Sequence, residues 1–400
     1  MAVPIRTPVV EVTEKRTEDR GLRTEDRPTH DAAQSSVLSP QSAVVDVAII
    51  GAGPAGSTLA ALLARHGCSV ALIDRDAFPR DKLCGEFLSY DALPIVEQFG
   101  IDLSAAPAIK RCRVVSRRRS YEFDFPQASR GASRLLFDDL LFRHAIAAGA
   151  QAQQSTVTAA SRDRVVTDRG EIVARVVVGA WGRWGRFDQR LGRAFVRDHA
   201  HRNFGFKRHY AGGGGEVIEL YSFDRGYLGV SSIESGQTNI CGLVHESRLT
   251  GHKGRWESFV DEIRREEPRL DEMYARYQPA QDGFLSSEPV IFRAKSPVEQ
   301  GIFMIGDASG IIDPLTGNGM AMAMQSAVLV EPFVLQALSG KRDDAEREYR
   351  RRHRQFFAPR IRWSRRVAFL LSRPALLDAA LSIRPAPAIG RFLMRRTRQF

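Results

Sequence analysis

This sequence of 400 residues predicts an α/β fold: a doubly wound parallel sheet, interrupted by a β-rich substrate domain and followed by a helical C-terminal region. Three observations predict it. Gly51, Gly53 and Gly56 stand in G-x-G-x-x-G spacing directly after a short β-branched run, and a second glycine-rich segment occupies residues 306–320. Between the two, short apolar runs alternate with glycine-rich turns such as 211–215. Strand and helix signals in alternation argue a parallel sheet, whereas closely spaced strands argue an antiparallel insertion.

Residues 1–43 are polar and contain the near-repeats 16–20 and 23–27, both RTEDR. Such a segment cannot bury enough apolar area to offset the entropy of ordering it, so a disordered tail is expected. Residues 44–50 then read as a buried strand, 57–66 as a helix, and 69–74 as a second strand ending in Asp74. Gly51 permits the tight strand-to-helix turn, and Gly53 lets the backbone approach a pyrophosphate. Gly56 lets the helix pack close on the strand, while Asp74 stands where a carboxylate meets a ribose hydroxyl. The N–H groups of the helix start face the anion. These residues imply a dinucleotide without deciding which one.

Further along, 134–145 reads as a helix, 174–182 as a strand leading into a turn, and 320–327 as a helix opened by the turn 316–320. The resulting organisation is discontinuous. Residues 44–110, 131–185 and 296–335 form the dinucleotide domain. Residues 111–130, a hairpin with its tip at 117–120, and 186–295 form the substrate domain. Residues 336–400 form a basic helical end.

The four cysteines, at 68, 84, 112 and 241, make no CxxC pair, so neither a metal site nor a disulfide framework is expected. The start of the chain lacks the apolar core of a signal peptide, and a cytoplasmic protein is the expectation. The net charge of +11 is concentrated at one end: residues 341–400 hold 17 Lys and Arg against 5 Asp and Glu. Two readings of that end stay open. Its basic amphipathic helices rest on an anionic membrane surface or an acidic partner, or they pack as a cap with solvated arginines. No nucleic-acid-binding module accompanies the charge, so nucleic acid is not an expected partner.

Residues 78–89 (FPRDKLCGEFLS), Arg134 with Asp138, the strand 174–182, the pair Gly306-Asp307 and the turn 313–319 (DPLTGNG) together resemble a known group. It is that of the FAD-dependent oxidoreductases of the geranylgeranyl reductase and aromatic hydroxylase (flavoprotein monooxygenase) type. The resemblance implies a Rossmann-like FAD-binding domain interrupted by the substrate domain. The implied cofactor-binding set is Gly51, Gly53, Pro54, Ala55, Gly56, Asp74, Arg75, Cys84, Gly85, Arg134, Gly306, Asp307, Pro314, Gly317, Asn318, Gly319 and Met320. The helix beginning at Met320 would aim its N–H groups at the flavin edge that gains negative charge on reduction. Cys84 and Glu86 are the candidate catalytic residues, Cys84 contacting flavin or substrate and Glu86 donating a proton; a space-filling cysteine and a capping glutamate are the alternative.

The same resemblance implies NAD(P)H as electron donor and a hydrophobic or aromatic small molecule as substrate. Three departures are visible. Trp181-Gly182 replaces the Asp-Gly step of the hydroxylases, and Ser231-Ser232 replaces the Phe-Pro of isoprenoid reductases. The Trp-x-Trp-x-Ile-Pro signature of flavin halogenases is missing. A monooxygenase-type flavoprotein is therefore the first expectation. A reductase of carbon double bonds in an isoprenoid or lipid is the second, and a non-catalytic flavin-binding or electron-relay protein the third.

Overall fold

The computed structural model describes residues 43–183, 186–197, 202–252, 254–287 and 289–382. The tail expected over 1–43 lies, but for Ala43, outside the described residues.

Five parallel strands form the centre of the first, eight-stranded sheet, in the order Ile302–Met304, Gly170–Gly179, Ala43–Ile50, Val70–Asp74, Gln151–Gln154. The central strand is covered on both sides, as a parallel sheet requires. Val47 and Ile49 enter one core with the helices Pro54–Arg65, Arg134–Ala147 and Gly319–Leu338. Ala48 and Ile50 enter another, beneath the hairpin Val157–Ala160 and Arg164–Thr167. Gly319–Leu338 is long and apolar enough to cross a membrane, yet half of it is buried in this core.

The second sheet has nine strands and is antiparallel but for one pair. Its main path runs Gln278–Pro279, Asn203–Ala211, Gln237–His245, Gly226–Ile233, Val217–Phe223, Ala108–Val115, Ser120–Gly131, Phe87–Leu88. Phe206, Phe223, Leu228, Val230 and Ile240 pack outward against the helices Trp256–Glu266 and Pro268–Tyr274. The opposite face looks toward the first sheet.

Three features differ from the sequence-based boundaries. Phe87–Leu88, expected in the dinucleotide domain, pairs with Ser120–Gly131 at the edge of the second sheet. Residues 186–197, expected in the substrate domain, pack on the first unit: buried Arg193 pairs with Asp188 (2.9 Å) and donates to Ala308 O and Ser296 O. Finally, Arg342–Leu371 is a single helix of 30 residues that joins both sheets. Its first half enters the first core, with Tyr349 OH donating to Met304 O (2.8 Å) and His353 against Ser309 Oγ (2.9 Å). Its last turn and the helix Pro374–Ala380 pack on Tyr227, Leu243 and Leu315 at the second sheet.

Candidate functional site

The two glycine-rich segments meet in space. The chain leaves the central strand at Gly51 with φ 106°, and a Cβ there would stand 2.4 Å from Ala180 O. A Cβ on Gly56 would stand 1.8 Å from Gly51 O, so the helix Pro54–Arg65 can approach the strand only because residue 56 has no side chain. Gly53 differs: a Cβ there would find only Arg134 Nη2, at 3.8 Å. That space is open, above the first N–H groups of a helix whose N1 position is Pro54. Gly306, with φ 58°, rests on Ala55, to whose Cβ its own would come within 3.0 Å. Asp307 therefore stands beside the helix start. Burial raises its carboxyl above the ordinary range, and Arg183 Nε lies 3.6 Å away.

Basic groups surround this point. Arg134 makes a two-pronged pair with Asp138 (2.6 Å each), which holds its charge despite burial. Arg183 also donates to Leu83 O (2.5 Å). Lys295 Nζ donates to the carbonyls of Arg183 (2.7 Å) and Asp307 (2.9 Å), and burial lowers its pKa to about 8.

The second helix start is Gly319, with no atom within 4 Å of the position of a Cβ. Gly317, at φ 64°, lies so close to Phe87 that a Cβ would meet its ring at 2.5 Å. Asn318 and Met320 are buried, whereas Pro314 is exposed. Asp313, just before it, accepts from Tyr227 OH (2.6 Å) and Leu315 N–H (3.1 Å), and burial pushes its pKa up to about 6.

Cys84, Gly85 and Glu86 bridge the two sheets. Cys84 O accepts from Asn239 Nδ2 (2.9 Å), and Cys84 Sγ from Glu86 N–H (3.4 Å). Glu86 is wholly buried at φ 55°. Its Oε1 accepts from Lys207 Nζ (2.7 Å) and Arg134 N–H (2.9 Å), and its Oε2 lies 2.7 Å from His209 Nε2. Lys207 is likewise buried and also reaches Asp81 (2.5 Å). Burial opposes its charge, but Glu86 and Asp81 together hold its pKa above the ordinary value. Both Glu86 oxygens are committed to a charge network that ties the loop to the second sheet, and none faces open space.

Asp74 Oδ2 accepts from Ala52 N–H and Arg80 (2.8 Å each), so a ribose would share this carboxylate with the loop it braces. Arg75 turns its side chain to solvent and pairs loosely with Asp76 (3.4 Å). Trp181 packs in the core against Phe187, with ring centroids 5.2 Å apart.

Gly51, Gly53, Cys84, Gly85, Arg134, Gly306, Asp307, Gly317 and Gly319 are all partly accessible, although their neighbours are mostly buried. They trace one cleft, with an anion cradle at Gly53 and a second helix start at Gly319. That layout fits FAD, an elongated dinucleotide with its charge at the middle and a redox-active ring at one end.

The facing wall is the inner side of the second sheet, and its side chains form rows. Cys241, Gly229, Leu220 and Val114 are cross-strand neighbours, and all four are partly accessible. The row on one side (His209, Asn239, Ser231) and the row on the other (Gly205, Leu243, Tyr227, Ser222) are buried. The accessible row is therefore a groove, and Gly229 leaves a gap in its floor: the nearest atoms to a Cβ there are 3.7 Å and 3.8 Å away. Burial, and then the nearby Cys84, push the Cys241 thiol up to about 12, so it stays protonated.

Sequence reasoning missed Arg183, Lys207, His209, Asn239 and this row, and gave Asp313 of the turn 313–319 no role of its own. Asp313 alone carried a local signal, as an Asp-Pro turn residue.

Known proteins share this architecture. Residues 44–120 match the family model of an FAD binding domain. The menaquinone reductase of Mycobacterium tuberculosis is 28% identical over 320 residues, covering 71% of this chain and 75% of that protein. The tryptophan 2-halogenase of Chondromyces crocatus is 25% identical over 362 residues, covering 80% and 67%. A geranylgeranyl bacteriochlorophyll reductase-like protein from Thermoplasma acidophilum shares the fold, with a TM-score of 0.70 at 18% identity over 88% of this chain and 99% of that one.

Proposed function

We infer, from a chain that belongs to the FAD-dependent flavoprotein oxidoreductases of the geranylgeranyl-reductase and monooxygenase group, that it acts on a hydrophobic or aromatic small molecule by monooxygenase-type chemistry. The groove along Cys241, Gly229, Leu220 and Val114 carries this reading, because it is the accessible row of a wall that is otherwise buried. The polarity of the groove supports a compact substrate with one polar group. On one side Leu243 and Tyr227 are apolar. On the other, Asn239 Oδ1 is buried with no hydrogen-bond partner among the described residues, next to Ser231. A buried unpaired acceptor is costly, and a substrate hydroxyl or N–H would satisfy it.

Bound FAD supplies two-electron redox chemistry, with NAD(P)H as the donor we propose. The chain's own residues orient and stabilise. The N–H groups beyond Gly53, with Arg134 and Arg183, would hold the pyrophosphate. The start of Gly319–Leu338 favours negative charge at the ring. Tyr227 and Asp313 keep a proton in a hydrogen bond beside that helix start. The Glu86 network fixes the Cys84–Gly85 backbone without itself transferring a proton.

A second reading is reduction of a carbon double bond, favoured by the similarity to menaquinone reductase over most of the chain. Turnover of aromatic and isoprenoid probes by the flavin-loaded protein, with NADH or NADPH, separates the two. A product that gains an oxygen atom only in air supports the monooxygenase. A product that gains two hydrogens without air replaces it with the reductase. Flavin that no nicotinamide reduces overturns the donor assignment.

A further inference from the structure

We propose that the end of the helix Arg342–Leu371 and the following turn form a docking surface for an anionic lipid bilayer. The delivery step of this proposal rests on the hydrophobic substrate inferred above; the docking itself does not. Residues 350–373 hold nine arginines and no Asp or Glu. Arg362, Arg365, Arg366 and Phe369 follow at i, i+3, i+4 and i+7, so they share one helix face, and all four are exposed. Among the described residues none of these three arginines has an ion-pair partner.

Exposed apolar groups sit within the same patch. Phe369 is 55% exposed and Leu376 is 47% exposed, two of the four large apolar residues that reach solvent among the described residues. Arg373 stacks on the Phe369 ring with its guanidinium carbon 3.5 Å from the centroid. A purely acidic partner would call for charge alone. Arginines beside an exposed phenylalanine, with an exposed leucine in the next helix, fit a surface with phosphate groups above and hydrocarbon below, since long cationic side chains keep their heads in the polar layer while their stems cover apolar surface.

The inner face of the same element adds direction. Val367, Leu371 and Leu377 pack on Tyr227, Leu243 and Leu220, the side chains that border the substrate groove. A bilayer bound at the outer face would lie one helix diameter from the groove, about 10 Å. A lipid-soluble substrate would have a short path to it.

Flotation of the full flavin-loaded chain with vesicles tests this. The wild type is expected to float with phosphatidylcholine–phosphatidylglycerol vesicles and not with phosphatidylcholine alone. Replacing Arg362, Arg365 and Arg366 together by Gln should weaken binding on the order of 100-fold, whereas replacing them by Lys should preserve it. Phe369→Ser should weaken it about tenfold. Flavin absorbance should be unchanged throughout, because none of these residues touches the cleft. Equal flotation on neutral lipid, or wild-type flotation of the triple Gln variant, overturns the proposal. Retention of Phe369→Ser at full strength also overturns it and points to an acidic macromolecule instead. Loss of vesicle binding with turnover intact removes the docking and leaves the enzymatic reading in place.

Discussion

On the parallel-sheet side of the cleft the decisive contacts are made by main chain. Gly51 turns against the Ala180 carbonyl and Gly56 against that of Gly51, while Gly306 rests on the small Ala55 methyl. On the antiparallel side they are made by side chains in rows of cross-strand neighbours: an accessible row from Cys241 to Val114, ended by buried Lys207, lies between two buried rows. The difference teaches where each kind of recognition can vary. The turns at Gly51 and Gly56 have no side chain to exchange, so the shape of the cofactor cradle is fixed. A groove of side chains can be refitted one residue at a time without disturbing the cofactor, so it is the natural place for substrate choice.

The largest expected effect breaks the first wall. In Gly56→Ala the new Cβ would lie 1.8 Å from a carbonyl oxygen, and neither atom belongs to a flexible side chain. A cost above about 4 kcal/mol is expected, seen as loss of bound flavin and of a cooperative unfolding transition. Gly53→Ala is the control. It meets nothing closer than 3.8 Å, and should fold while binding FAD more weakly. Normal flavin content in Gly56→Ala would show that the close packing is not required.

The seam between the walls comes next. Glu86→Gln leaves the buried ammonium of Lys207 with Asp81 as its remaining carboxylate. Breaking one arm of a buried charge network costs about 3 kcal/mol, and removing both partners costs less. Urea denaturation of Glu86→Gln, Lys207→Met and the double variant should therefore give non-additive losses, the double variant being more stable than the sum of the two singles implies. Additive losses would mean that the two side chains are not coupled.

That seam also shows why one wall was legible in the sequence and the other was not. Gly51, Gly53 and Gly56 act within one turn, so their spacing alone states their purpose. The meeting of Gly306 with Ala55 was readable only through a resemblance, because no local rule brings residues so far apart together. Glu86 was noticed but its partners were not, since Lys207 and His209 lie on a strand whose register is set by the whole second sheet. Gly229 looked like any strand glycine; its gap exists only because Cys241 and Leu220 flank it. The long helix Arg342–Leu371 read as a basic end because its charges are local, while its buried Tyr349, His353 and Leu371 reach two separate cores.

Asp313 sharpens the comparison from where the walls touch. Burial raises its pKa to about 6 from an ordinary 3.8, so the native state holds this proton more tightly than the unfolded chain. Its contribution to stability is complete below about pH 4 and is lost as the pH rises through about 6. Asp313→Asn keeps an oxygen to accept from Tyr227 OH and Leu315 N–H but never ionises. Relative to the wild type it should gain stability across that window by at most about 3 kcal/mol, then run parallel above it, as thermal unfolding at several pH values would record. A constant difference at every pH would mean that Asp313 does not titrate there.

The smallest change is the most selective. Gly229→Val adds an isopropyl group at a position whose nearest neighbours are 3.7 Å and 3.8 Å from the new Cβ, and valine suits a strand. Stability and flavin content should therefore hold. The methyls would fill the gap in the accessible row, and kcat/KM for an aromatic substrate should fall about tenfold, the equivalent of 1.4 kcal/mol of lost transition-state binding. If kcat/KM stays level while FAD binding weakens, the open row belongs to the cofactor. Substrate choice would then have to reside elsewhere, and the division of labour between a backbone wall and a side-chain wall would fail.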